Sequence, residues 1–243
     1  MPAPLRPPTP PELPLPDHAW VYDHAARDYD ALVAREDAAG NLSRALDALL
    51  PPRAGLIVEL GAGTGRVTRL LAPRADRVVA CDAAAAMLDV ARERLDAAGL
   101  AQGVTFAVAS HDALPVAAAA ADAVVAGWAI AHAVGWFPAD WPERVDRALA
   151  EMARVARPGA PLLVIETLGT GSAAPAPPAK LVPFYDRLEA AGFVRSVLRT
   201  DYRFADPAEA ERLLTFFFGP ELAARFAGAA DVPECTGLWH RAA

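Results

Sequence analysis

Three glycines within five residues, Gly61, Gly63 and Gly65, follow directly on the apolar run Leu56-Ile57-Val58-Glu59-Leu60. Glycines at the end of a strand let the backbone pass close to a ligand, and the helix N-terminus beyond them offers free amides and the positive end of a dipole. A glycine turn alone is a weak signal. Its context adds chemistry: Asp82 closes the next apolar run twenty-one residues after Gly61, where a carboxylate can accept both hydroxyls of a ribose. Asp112 closes a third run, so Glu59, Asp82 and Asp112 stand at the ends of successive strands and line one crevice if those strands are parallel. His132 is the first titratable side chain after Asp122. With an ordinary pKa near 6.5 its imidazole is about three-quarters neutral at pH 7 and able to take a proton from a hydroxyl or an amine. Trp128 precedes it as a candidate pocket wall.

Such residues need strands to carry them and helices to space them. Residues 56–60, 77–81, 104–109, 122–127 and 161–166 read as strands, with helical periodicity after Gly65, at 85–98 and at 142–156. Strands that alternate with helices pair in parallel through right-handed crossovers, which makes the chain an α/β doubly wound sheet. Beyond Glu166 come a Gly/Ser/Pro loop, a helix at 181–191, a strand at 193–204, a helix at 207–218 and a last strand at 236–241. Ahead of the first strand, Tyr22, Tyr29 and Leu32 recur at helical spacing, and NLSRALDALL reads as a helix capped by Asn41 or Ser43. The aromatics between Trp20 and Tyr29 precede any strand they could bury against, so this segment is expected to act as a lid. Eight of the 23 prolines fall in residues 1–16, an expected extended tail.

Composition narrows the partners. Of 243 residues 54% are hydrophobic, and 30 acidic against 23 basic side chains give a net charge of -7. No strong field draws such a chain to phosphate backbones, so nucleic acid is an unfavoured partner. The uncharged stretch 123–139 contains His132, two glycines and a proline, and falls short of the roughly 20 strongly apolar residues of a membrane span. Two distant cysteines and five scattered histidines give no metal-ligand spacing. Without a basic and apolar leader the expected address is the cytoplasm.

Four segments, VELGAGTGR (58–66), CDAAAAML (81–88), SHDALPV (110–116) and RVARPGAPLLVIE (154–166), together resemble the class I S-adenosylmethionine-dependent methyltransferases that act on small molecules. The resemblance implies a Rossmann-like sheet of seven strands, mostly parallel with an antiparallel last strand. It implies S-adenosyl-L-methionine as cofactor, with Gly61, Ala62, Gly63 and Gly65 around its methionine part and Glu59 at its amino group. Asp82 would take the ribose, Met87 would pack on the adenine, and Asp112 and the Ala113 amide would meet the adenine edge; Thr64 and Ala83 would add contacts. Gly127, Trp128 and Ala129, leaving the fourth strand, would run past the methionine tail and the reacting methyl; His132, from its position alone, is the expected general base. The organisation implied is one domain over 17–243: a lid (17–50), a half that binds the methyl donor (55–166) and a substrate-side half (167–243). The expected acceptor is a small molecule methylated on oxygen or nitrogen, and the expected state is a monomer or homodimer away from membranes. Two other readings stand beside it. An NAD(P) dehydrogenase would need G-x-G-x-x-G, but Arg66 holds the position of its third glycine. A catalytically silent module that only binds the nucleoside would keep the same carboxylates.

Overall fold

A computed structural model describes residues 18–243, so the proline-rich 1–16 segment lies outside the described residues. Helices α1 (His18–His24), α2 (Ala26–Val33) and α3 (Asn41–Leu49) precede β1 (Ala54–Leu60). There follow α4 (Thr68–Leu71), β2 (Ala75–Asp82), α5 (Ala85–Ala97), β3 (Val104–Val108), β4 (Ala123–Gly127), α6 (His132–Trp136), α7 (Trp141–Val155) and β5 (Pro161–Thr170). The remainder comprises α8 (Val182–Ala190), β6 (Val194–Arg199), β7 (Tyr202–Arg203), α9 (Pro207–Phe218), α10 (Pro220–Arg225), β8 (Asp231–Val232) and β9 (Glu234–Ala242).

Seven strands form one sheet in the order β3-β2-β1-β4-β5-β9-β6. β1 through β5 pair in parallel, while β9 runs antiparallel between β5 and β6. The expected Rossmann-like sheet with an antiparallel last strand is therefore present. Its order reverses between β1 and β4, and a crevice opens at the carboxyl ends of strands on either side of such a switch point. Alternation along the strands decides what lies on each face. Val58, Leu60, Val124, Ala126 and Val164 are buried with Met152 of α7 and Phe184 of α8, whereas Ile57, Val78, Val125 and Ile165 are buried with Leu42 and Leu46 of α3. Apolar side chains on both faces are what a central parallel strand requires.

Several element boundaries differ from expectation for local reasons. The run 193–204 divides, because the Thr200 amide donates to Glu234 O and the Asp201 carboxylate accepts from the Glu234 amide. Tyr202–Arg203 then leaves the sheet to pair with Asp231–Val232. Neither Asn41 nor Ser43 caps α3. The cap comes from Asp37, whose carboxylate accepts from the amides of Asn41 (2.7 Å) and Leu42 (3.0 Å) across Gly40 at φ +70°. The helix after the glycine turn is only one turn long and continues as a 3-10 turn, Ala72–Arg74, containing Pro73, which has no amide to extend it. Among the described residues no helix is long and apolar enough to cross a membrane.

Candidate functional site

A cavity of about 340 Å³ opens at the carboxyl ends of β1, β2 and β4, roofed by Ala19 and Tyr22 of α1 and Tyr29 of α2. Its floor is the glycine turn, where Gly61, Ala62, Gly63 and Thr64 all line the cavity. Gly61 sits at φ +65° with the loop after β4 pressed against it: an added Cβ would stand 2.2 Å from Ala129 Cβ and 3.3 Å from Ala129 Cα. Only glycine lets the two loops meet this closely. Gly65 does something else. It lies outside the cavity at φ +84° and faces α5, where a Cβ would fall 2.9 Å from Leu95 Cδ1 and 3.2 Å from Ala91 Cβ. The expected ligand contact is thus replaced by close helix packing, and Gly65→Ala should lower the melting temperature by about 3–10 °C in a thermal unfolding scan.

Glu59 ends β1 beneath this floor, 1% exposed, and accepts from the Thr68 hydroxyl at 2.6 Å. Burial, reinforced by the charge of Asp82, pushes its carboxyl up to about 8. Asp82 accepts from the amide of Gly63 (2.8 Å) with one oxygen and from that of Ala84 (2.9 Å) with the other, so it shapes the glycine turn while facing the cavity. Ala83 and Met87 line the same wall.

Asp112 and Ala113 do not reach the cavity, contrary to expectation. The Ala113 amide closes a tight turn onto Ser110 O, and the exposed Asp112 carboxylate accepts from the Ser110 hydroxyl and from Arg147 Nε on α7 at 3.1 Å. Those two bonds hold it below the usual carboxylate range. His111 takes the inward position instead, lining the cavity with its pKa lowered by burial. Nothing in SHDALPV distinguishes the two orientations, because Arg147 lies thirty-five residues away.

At the opposite end β4 leaves through Gly127, Trp128 and Ala129, which line the cavity. Trp128 adopts φ +49°, a left-handed conformation rare outside glycine. It is held there from both sides: its amide donates to Ile165 O at 2.7 Å, and Glu166 accepts from the amides of Ala129 (3.2 Å) and Ala131 (3.0 Å). Glu166 is thus a buried cap for this loop, and burial pushes its carboxyl up to about 8. The Arg66 guanidinium covers the Trp128 ring at 3.3 Å from its centroid and pairs with buried Glu36. His132 follows, stacked on Trp136 at 4.7 Å, with its Nε2 3.1 Å from the Tyr22 hydroxyl. Burial pushes its pKa down to about 3, so the expected imidazole titrating near 6.5 is not what the closed site holds. A neutral ring whose free lone pair is occupied is a hydrogen-bond acceptor, poorly suited to general-base work. Tyr22 and Tyr29 belong to the expected lid, and Trp136 stands close in sequence to Trp128 at the expected mouth; Arg66 carries no periodicity or spacing that marks it as a cavity residue.

This set fits S-adenosylmethionine. Buried Glu59 would meet its ammonium, Asp82 would take its ribose, and Met87 would supply an apolar wall for its adenine, all three lining the cavity. Thr64 Oγ1 is buried in the cavity wall without a hydrogen-bond partner, a polar group left for a ligand to satisfy.

Residues 58–164 match the family model of a methyltransferase domain. Among curated relatives, a malonyl-[acyl-carrier protein] O-methyltransferase from Methylococcus capsulatus is 33% identical over 176 residues, 70% of this chain and 58% of that protein. A demethylmenaquinone methyltransferase from Thermobifida fusca is 35% identical over 111 residues, 46% of this chain and 43% of that protein. The chain spans about half the length of these relatives. In fold it is similar to a SAM-dependent methyltransferase from Aquifex aeolicus (TM-score 0.55, 15% identity, 88% of this chain and 97% of that one). It is also similar to the [4+2]-cyclase SpnF (TM-score 0.60, 19% identity, 95% and 98%). With the motif-bearing segments, the sheet order and the cavity at its switch point all in agreement, residues 58–164 form a methyltransferase domain of the class I, S-adenosylmethionine-dependent type.

Proposed function

We propose that the chain transfers a methyl group from S-adenosylmethionine to oxygen or nitrogen of a small molecule by direct displacement. The observation that supports this most is the pairing of the donor-side carboxyls, Glu59 and Asp82, with a separate aromatic mouth of Tyr22, Trp128 and Trp136 in one cavity. The bound cofactor supplies an electrophilic methyl carbon on a sulfonium, so the acceptor atom must come within about 3–3.5 Å on the side opposite the sulfur. The chain's own contribution is to orient and to exclude water: the strained Trp128 turn fixes one wall, and α1 closes the other. Orientation of this kind is worth up to about 7–11 kcal/mol.

His132 is half-buried, and its pKa, like that of His111, is lowered by desolvation, so neither is a strong base at this mouth. That supports acceptors that need little help in losing a proton: carboxylates, acidic phenols or free amines, ahead of aliphatic alcohols. Release of S-adenosylhomocysteine measured over a panel graded by acceptor pKa tests the reading, and turnover should concentrate in the acidic and amine members. If turnover is confined to aliphatic alcohols, a strong base operates and this account of the mouth fails. Tight S-adenosylhomocysteine binding with no turnover on any member supports the silent nucleoside-binding module instead. The fold likeness to a cyclase shows that this architecture serves more than one chemistry.

A further inference from the structure

S-adenosylmethionine carries an ammonium and a carboxylate on one carbon, so a site that buries that end needs an acid and a base close together. Glu59 is placed to serve as the acid. Among the described side chains that line the cavity, Arg66 is the one guanidinium or ammonium; the others that titrate are the carboxyls of Asp23, Glu59 and Asp82, two tyrosines and two histidines. The turn beyond the glycines brings Arg66 to the Glu59 end. Thr68 donates to Glu59 at 2.6 Å, a Cβ added to Gly127 would stand 3.0 Å from Val67 Cγ2, and Arg66 covers the Trp128 ring at 3.3 Å. Three consecutive residues thus touch the ends of β1 and β4, on the side of β1 opposite to Asp82 and β2. Glu36 takes two of the five Arg66 N–H groups, one from each terminal nitrogen, and no hydrogen bond among the described residues takes the other three. Tyr29 lies across the same turn, its Cε1 4.0 Å from where Gly63 would carry a Cβ.

From this arrangement we propose that Arg66 binds the carboxylate of the methyl donor, so that Arg66 and Glu59 together read its amino-acid end. The proposal rests on reading the cavity as the methyl-donor site. A guanidinium stacked on an indole keeps its N–H groups in its own plane, along its edges, and such an edge matches a carboxylate. One edge is spent on Glu36, whose side chain is 2% exposed and fixes the guanidinium from behind. The remaining N–H groups are what a second carboxylate needs. Neutralisation by Glu36 also suits the ligand: an ammonium and a carboxylate arrive together, so the amino-acid end adds no net charge. The consequence is selectivity. The site should prefer nucleoside thioethers that keep the carboxylate over those that have lost it, and Arg66 should be the residue that makes the distinction.

Calorimetric titration with two ligands tests this: S-adenosylhomocysteine, and its decarboxylated analogue 5′-(3-aminopropylthio)-5′-deoxyadenosine, which keeps the ammonium. Wild type should bind S-adenosylhomocysteine about tenfold to a hundredfold more tightly than the analogue, the range for a hydrogen bond to a charged group. Arg66→Met should bring that preference within about threefold by weakening S-adenosylhomocysteine alone. Because Arg66→Met leaves Glu36 buried and unpaired, the Glu36→Gln/Arg66→Met double variant is measured beside it and should behave alike. Analogue binding close to wild type shows that the pocket of each variant is intact. A wild-type preference below threefold, or one that both variants retain, overturns the assignment. So does a retained preference accompanied by a raised KM for carboxylate-bearing acceptors, which would place Arg66 on the acceptor side. If neither ligand binds wild type, the donor-site reading fails and the assignment falls with it, whereas equal binding of the two ligands overturns the assignment and leaves that reading standing.

Discussion

Asp82→Ala is expected to weaken S-adenosylhomocysteine binding by about a hundredfold, because one carboxylate does two jobs. Its oxygens accept from the amides of Gly63 and Ala84 at 2.8 and 2.9 Å, which fixes the glycine turn against the end of β2. The same group faces the cavity where the ribose is expected. Hydrogen bonds to a charged group contribute about 1.5–3 kcal/mol each, so losing the ribose contact and loosening the turn together come to about 3 kcal/mol. The sheet should survive, since β2 is held to β1 and β3 by backbone pairing along its length. Titration calorimetry beside a thermal scan separates the effects. A variant that melts earlier yet binds within twofold of wild type would leave Asp82 as a cap and nothing more.

The second large effect is a dependence on pH carried by Glu59. Burial holds its carboxyl near 8 in the ligand-free protein, so at pH 7 it is about nine-tenths protonated. An ammonium bound beside it favours the ionised form and lowers that pKa. Binding should then release close to one proton at pH 7. Affinity should rise up to about tenfold per unit between roughly pH 6 and 7.5, below the point where an α-amino group begins to lose its own charge. The sign follows from the direction of the shift: a carboxyl depressed on binding gives affinity that is lost as pH falls. Calorimetry in two buffers of different ionisation enthalpy counts the protons, and Glu59→Gln should bind more weakly, with the slope abolished. A wild-type affinity flat from pH 6 to 7.5 with no proton released means that Glu59 does not meet the ammonium.

What the chain reveals before folding is what local periodicity and spacing encode. Apolar runs ending in glycine or aspartate specify β1, β2 and the turn between sheet and helix, and with them Glu59, Gly61, Gly63 and Asp82. The aromatic spacing of Tyr22 and Tyr29 likewise marks a segment that must cover something. Illegible are the choices made by distant partners. Asp112 turns outward because Arg147 on α7 and Ser110 claim it. Gly65 is required by Leu95 and Ala91 of α5. His132 reads as an ordinary imidazole until Tyr22, 110 positions earlier, is laid over it. Asp37 caps α3 only because Gly40 takes a left-handed turn between them.

The central claim is that the cavity at the β1/β4 switch point holds S-adenosylmethionine and its product. Calorimetric titration of the wild-type chain with S-adenosylhomocysteine at pH 7.5, with NAD run in parallel, tests it most directly. The account predicts a micromolar dissociation constant, about −7 to −8 kcal/mol, for S-adenosylhomocysteine and no measurable heat for NAD. Binding of NAD tighter than S-adenosylhomocysteine, or no S-adenosylhomocysteine binding at millimolar concentration, would contradict it.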